Sequence, residues 1–164
     1  MAMSIDLEVR KVLDDHLLKI GEIESDGLNK SLDLIRFDSE FDCAPIYLSA
    51  GETSIISKMP KDKTWIEYFL VKSPGSLITA GLEVKLYQYG AWIKTVPENG
   101  IVFNEMISTL IEDHFPKNMK FKLKDNSTLT ILKSYQKPTI FLDKRNNRLF
   151  NSVFFDCEVY VGRE

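Results

Sequence analysis

Gly90-Ala91-Trp92-Ile93-Lys94-Thr95-Val96-Pro97-Glu98-Asn99-Gly100, followed by the block Phe103–Phe115, is the stretch on which the fold is decided. Ala91–Val96 reads as a strand opened by Gly90, and the Pro-Glu-Asn-Gly run carries turn chemistry that closes it. Phe103, Met106, Ile107, Leu110, Ile111 and Phe115 then recur at spacings of three and four, which places them on one buried helical stripe. Pro116 ends that helix, because the residue before a proline disfavours helical angles.

Working outward, Thr64–Lys72 alternates Trp65, Glu67, Phe69 and Val71 with Ile66, Tyr68 and Leu70. Both sides are largely apolar, so the expectation is a central strand covered on both faces. Ser73–Ser76 breaks it, and Leu77–Tyr89 forms the strand that leads to Gly90. Downstream, Met119–Lys124 and Ser127–Tyr135 form a hairpin about Asp125-Asn126. Lys120, Lys122 and Lys124 alternate there with Met119, Phe121 and Leu123, giving one wet face and one dry face. A last hairpin joins Thr139–Leu142 to Leu149–Val161 across the charged segment Asp143–Arg148.

At the start of the chain, Ser4 is a good helix cap, and Asp6 and Glu8 lie near the positive end of the dipole. Ile5, Val9, Val12, Leu13, Leu17 and Ile20 give the apolar face, and Gly21 supplies the stop. Between residues 21 and 63 the pattern weakens. Its acidic opening reads as a loop, and Leu32–Phe37 as a short strand or a turn of helix. Pro45–Ser49 and Thr53–Met59 read as short strands about Ala50-Gly51, and Met59–Lys63 as an exposed loop. The expectation is an α+β fold: a single domain over residues 1–164, with a mostly antiparallel β-sheet packed by an N-terminal helix and a central helix.

A chain of 164 residues can bury ~70% of the surface it exposes when unfolded, so no metal or disulfide is required. The net charge of −3 argues against a dedicated nucleic-acid binder, which is usually basic. Its distribution is uneven. Residues 22–42 hold seven acidic against two basic side chains, a local net of −5, and residues 117–148 hold nine basic against two acidic, a local net of +7. Such surfaces either pair head to tail in an assembly or are two solvated faces of a monomer. Cys43 and Cys157 lack the spacing of a metal or redox motif. A buried free thiol is expected at Cys157, which suits a cytoplasmic setting. The N-terminus has no secretory pattern, and no apolar run approaches a membrane span.

Little here resembles catalytic chemistry. His16 and His114 each lie in an expected helix with no second ligand four residues away, so structural or surface histidines are expected. Asp38-Ser39-Glu40-Phe41-Asp42 lacks the central glycine and closing glutamate of a calcium loop. Glu112-Asp113-His114 are consecutive on a helix and diverge by about 100° per residue, so they do not converge on one ion. There is no phosphate-binding glycine loop and no nucleophile elbow. Trp65 and Trp92 in strands are expected in a core or an interface. The expectation is not an enzyme, with no cofactor and no metal.

The order of elements, with the Gly90–Gly100 strand and turn feeding the Phe103–Phe115 helix, resembles the tail terminator proteins of long-tailed bacteriophages. The similar elements are Ser4–Ile20, Thr64–Lys72, Leu77–Tyr89, Gly90–Gly100, Phe103–Phe115 and Lys137–Val161, about two thirds of the chain. The long 21–63 segment and the lysine-rich 117–136 hairpin depart from that pattern, and phage neck and head-completion proteins have similar folds. The resemblance implies a hexameric homo-oligomer in the virion tail, assembled in the host cytoplasm. It would stop addition of the tail tube protein and present a docking face to a head-tail connector or neck protein, with DNA only as passing cargo and no membrane contact. The loop residues Lys58, Lys61, Lys63, Lys144, Arg145 and Arg148 are the expected contacts with a neighbouring subunit or the tube. A monomeric α+β module that binds a small molecule or lipid is the alternative from another class.

Overall fold

A computed structural model describes residues 4–20, 22–25, 33–36, 46–49, 64–72, 76–79, 82–137 and 140–162. The fold is α+β. Among the described residues its helices are α1 (Ile5–Leu18) and α2 (Gly100–His114), the latter entered through a single 3-10 turn at Pro97–Asn99. Its strands are β1 (Glu22–Ser25), β2 (Asp33–Arg36), β3 (Ile46–Ser49), β4 (Trp65–Lys72), β5 (Ser76–Thr79), β6 (Leu82–Thr95), β7 (Lys120–Lys122), β8 (Thr128–Gln136), β9 (Phe141–Asp143) and β10 (Arg148–Gly162). They form one sheet in the order β1-β2-β3-β4-β6-β10-β8-β7, with β5 beside β6 and β9 beside β10. Every pairing is antiparallel except β3 with β4.

β6 and β10 are the spine. They run antiparallel from Leu82 opposite Gly162 to Thr95 opposite Leu149. The two-residue strand period divides their side chains between two faces. Tyr87, Tyr89, Ala91 and Ile93 of β6 meet Val153, Phe155, Cys157 and Val159 of β10 in a core closed by Val9, Leu13 and Leu17 of α1 and Ile107 and Ile111 of α2. Both helices therefore cover the same face. Cys157 is a buried free thiol, and burial pushes it up to about 12, so it is inert at neutral pH.

Several expectations change. The break anticipated at Gly90 does not exist, because β6 passes straight through it. The glycine is instead required by a neighbouring ring. A Cβ at position 90 would lie 2.3 Å from Cζ of Phe69, its partner across the β4–β6 ladder. The acidic opening of the 21–63 segment contains a strand, β1, rather than a loop alone, and Leu32–Phe37 contains strand β2 rather than a turn of helix. Within Pro45–Ser49 the strand is β3. Gly21, Cys43, the expected strand Thr53–Met59 and the loop Met59–Lys63 lie outside the described residues. The first half of β4 is buried on both faces, but Val71 and Lys72 at its end are exposed.

The buried stripe of α2 is also rotated from the expected one. Asn104 and Ser108 are fully buried beside Ile107 and Ile111, whereas Phe103, Met106 and Leu110 are only half-buried. Hydrogen bonds compensate the polar burial. Asn104 Nδ2 donates to Thr95 Oγ1 (3.0 Å) and to the carbonyl of Leu149 (3.1 Å). Asn151 Nδ2 donates to Ser108 Oγ at 2.9 Å. These bonds lock the first turns of α2 to the end of β6 and the start of β10.

α1 is held at both ends. Ser4 Oγ accepts from the Leu7 amide at 3.3 Å as the N-cap. Tyr87 and Tyr89 each donate a 2.6 Å hydrogen bond upward from the sheet, to Asp6 and Asp14. The Tyr87 bond lowers the pKa of the more exposed Asp6, whereas desolvation outweighs the Tyr89 bond and raises that of Asp14.

At their C-termini the two helices meet through His16 and His114, whose rings stack 4.0 Å apart and 13° from parallel. Each Nε2–H donates to the other residue's carbonyl, at 2.6 and 2.5 Å, so each imidazole ties its own helix end to the other, the His16 carbonyl accepting from the Lys19 amide as well. The rings are structural, as their isolated positions implied, but sequence spacing gave no sign of the pairing. Burial lowers the pKa of His114 below 6.5. The unfolded chain therefore binds a proton there at higher pH than the folded one. This contribution to stability is fully present above about pH 6.5 and declines as pH falls through the interval below it. Urea unfolding at neutral and mildly acidic pH should show a smaller decline in His114→Gln than in the unsubstituted protein. Equal declines would dismiss the assignment.

Candidate functional site

The face of the sheet opposite α1 and α2 is lined by rings. Phe69 packs on Trp92 (4.9 Å between centroids) and Phe154 (6.2 Å), Trp92 on Phe150 (5.9 Å), and Phe150 on Phe141 (5.0 Å). The Phe69 ring lies over Gly90, so the ring chain crosses β4, β6 and β10 without interruption. A buried ion pair sits at one end of it. Lys94 Nζ donates to Glu67 Oε1 at 2.8 Å, and Trp65 Nε1 donates to the same oxygen at 2.9 Å. The ammonium lies 5.6 to 5.9 Å from the ring centres of Trp65, Phe150 and Trp92. Glu67 is 2% exposed, so the pair is a fixed strut and not a solvent-facing charge.

Above this strut lies one end of the long strands, where β6 stops, α2 starts and β9 turns into β10. Large apolar side chains reach solvent there: Ile101 (54% exposed) and Val102 (67%) in the first turn of α2, and Phe141 (50%) and Leu142 in β9. The turn between β9 and β10 carries Lys144 and Arg145, both exposed, and closes with Asn147 at φ 50°, a backbone that asparagine tolerates. Asp143 caps the turn, accepting from the Arg145 amide (3.1 Å) and from Asn146 Nδ2 (2.8 Å), and the Asn146 bond holds its pKa low. At the far end of the same strands Leu82 and Tyr160 are exposed, with Val71 on the same half of the sheet. Among the described residues, six of the nine exposed large hydrophobic side chains thus lie at the two strand ends, with Leu7 on α1 and Val71 and Trp92 on the sheet between them.

Of the six expected contact residues, Lys144 and Arg145 are placed where a partner can reach them. Arg148 is not. It is 4% exposed, its Nη1 donates to the carbonyls of Asn146 (3.2 Å) and Asn147 (3.0 Å), and its guanidinium lies 4.8 Å from the Trp65 ring centre. Its work is to tie the turn to the sheet. Lys58, Lys61 and Lys63 lie outside the described residues. Trp65 belongs to the buried strut, and Trp92 is partly exposed at the surface. Ile101, Val102, Phe141 and Leu142 were not among the expected residues. A signal existed: Phe141 and Leu142 are adjacent in a strand, so a single dry face cannot take both, and Ile101 and Val102 precede the helical stripe.

The space between helices and sheet is filled by fully buried side chains such as Leu13, Ile66, Tyr89 and Phe155. On the other face, Val71, Leu86, Gln88 and Asp156 border an open depression of about 350 Å³. Among the described residues no three His, Cys, Asp or Glu side chains gather in a way that could hold a metal ion. No described helix is long and apolar enough to cross a membrane. No protein-family model matches the chain, and a search of curated proteins found no match.

Proposed function

We propose that the protein is a phage tail terminator: a ring of six copies that caps the tail tube at its final length and docks the head-side connector. It works as a structural component of the virion tail, assembled in the host cytoplasm, and uses no cofactor. One observation carries the reading, the gathering of exposed large apolar side chains toward the two opposite ends of the β6–β10 spine. A ring between two axial partners needs a contact surface at each end, and exposed apolar clusters on a folded chain mark interaction surfaces. Glu67–Lys94 and the Asn104 bonds stiffen the end that carries Ile101, Val102, Phe141 and Leu142, so docking there orders little additional chain.

The test is to add the protein to polymerising tail tube subunits and follow tube length by electron microscopy. The unsubstituted protein halts growth. The doublet Ile101→Ser/Val102→Ser, at two solvent-facing positions, remains folded but caps at least ~10-fold less effectively, the loss expected on removing apolar anchors from an interface. A protein that stays solitary and leaves tube growth unchanged would overturn the proposal.

A further inference from the structure

β7 covers only part of β8. Lys120–Lys122 pair with Thr128–Thr130, and Ile131 then bonds to Asn118 (2.8 Å) and Met119 (2.9 Å). Beyond Ile131 the outer margin of β8 runs on to Gln136 with no described strand beside it. On the inner side, the Lys137 amide donates to the Ser152 carbonyl of β10 at 3.1 Å. Backbone groups alternate sides along an antiparallel ladder, so those of Ser134 and Gln136 point outward, away from β10. An open groove of about 630 Å³ lies between this margin and the end of α2, bordered by Glu112, Asp113, Lys117, Leu132, Lys133 and Ser134. Its walls are fixed to each other. Ser134 Oγ donates to the Phe115 carbonyl (2.7 Å), and Gln136 Nε2 donates to Glu112 Oε2 (2.7 Å).

We infer that this margin takes up an extended acidic segment of a partner protein as an added strand. The outward backbone groups of Ser134 and Gln136 supply the hydrogen bonds, and flanking lysines select the sequence. The ring reading above is not needed for it. Charge identifies the occupant. Lys133 and Lys137 flank Tyr135 on the face of β8 opposite α1 and α2, where Tyr135 packs on Phe154 at 5.5 Å. Both lysines are exposed, as is Lys117 at the end of the groove. Lys133 stands across the ladder from Asp156 but forms no ion pair with it, and its ammonium lies 5.1 Å from the Tyr135 ring centre. The Lys137 ammonium lies 6.0 Å from the ring centre of Phe154.

A strand added beside β8 places every second side chain on that face. Acidic residues on either side of an apolar one would therefore meet both lysines, with the apolar residue against Tyr135. The intervening side chains face Glu112 and Asp113, which favours uncharged residues there. Two copies of this margin, antiparallel and centred on Tyr135, would oppose lysine to lysine, and like charges directly across a ladder destabilise it. The surrounding segment, residues 117–148, carries a net charge of +7, which adds to the attraction for an acidic chain. The edge lysines thus discourage indiscriminate strand addition while admitting one kind of partner.

The probe is a labelled peptide, Glu-Thr-Val-Thr-Glu with blocked ends, whose pattern reads alike in both directions. It is titrated into the full-length protein at low salt and followed by fluorescence anisotropy. Saturable binding is expected, and the variant Lys133→Glu/Lys137→Glu should bind it at least ~10-fold more weakly. The counterpart peptide Lys-Thr-Val-Thr-Lys should show the opposite preference. The bound acidic peptide should also slow amide hydrogen exchange at Ser134 and Gln136, which attraction to surface charge alone would not do. No saturable binding of the acidic peptide, equal binding to both proteins, or unchanged exchange at those two amides overturns the proposal. Exchange there that slows with rising protein concentration, peptide absent, assigns the margin to a second copy and overturns it as well. Should the variant fail to fold, the two peptides and the exchange measurement on the unsubstituted protein decide.

Discussion

Glu67→Ala is expected to lower the unfolding free energy by about 3–5 kcal/mol, because it strands the Lys94 ammonium among three rings. The loss comes from the orphaned charge more than from the missing bond. Glu67 also accepts from Trp65 Nε1, so the substitution leaves a buried indole donor unmatched as well. Removing both charges should behave differently. Glu67→Leu combined with Lys94→Met replaces the pair with apolar bulk and should recover most of the loss, since buried ion pairs are often no more stabilising than well-packed hydrocarbon. Urea unfolding of the two single variants and the double variant gives the coupling energy. Additive losses would mean that the pair is solvated and that its burial plays no part.

Phe115→Ala should have an effect of similar size, about 3–5 kcal/mol. Phe115 is fully buried where four rings meet it: Phe155 at 4.4 Å, His16 at 4.8 Å, His114 at 5.5 Å and Tyr89 at 5.8 Å. Its carbonyl also accepts from Ser134 Oγ at 2.7 Å. Truncation opens a cavity beneath the stacked histidines, whose mutual hydrogen bonds prevent the helix ends from collapsing into it. Phe115→Leu should lose less, because most of the volume remains. Thermal or urea denaturation measures both. A loss under about 1 kcal/mol for the alanine variant would show that the helix ends close over the gap.

The α+β class, the two helices and the hairpins after residue 118 could be read from the chain because each rests on a local period. Lys120, Phe121 and Lys122 alternate as a half-wet strand must, and the cap at Ser4 is a short-range interaction. What was illegible depends on partners distant in sequence. Gly90 looks like a strand break until Phe69, 21 positions earlier, is known to occupy the space of its Cβ. Asn104 and Ser108 look like surface residues until Thr95, Leu149 and Asn151 supply their bonds. Arg148 reads as a loop charge, yet its hydrogen bonds turn it back into its own turn. The charged turns were sought as contact surfaces because charge is visible in composition. Apolar exposure at Ile101 or Phe141 appears only once the core has been filled by other residues.

The position of β10 in the sheet has a consequence for biosynthesis. It lies between β6 and β8, yet it follows every other described strand in sequence. Until its fifteen residues emerge from the ribosome, the two halves of the sheet have no backbone connection through their centre, and three ladders stand unfilled. Pairing over such sequence distances is slow, and waiting strands are prone to capture by other chains. Maturation is therefore gated by translation: a nascent copy cannot complete this sheet, or recruit a neighbour, before β10 has been made.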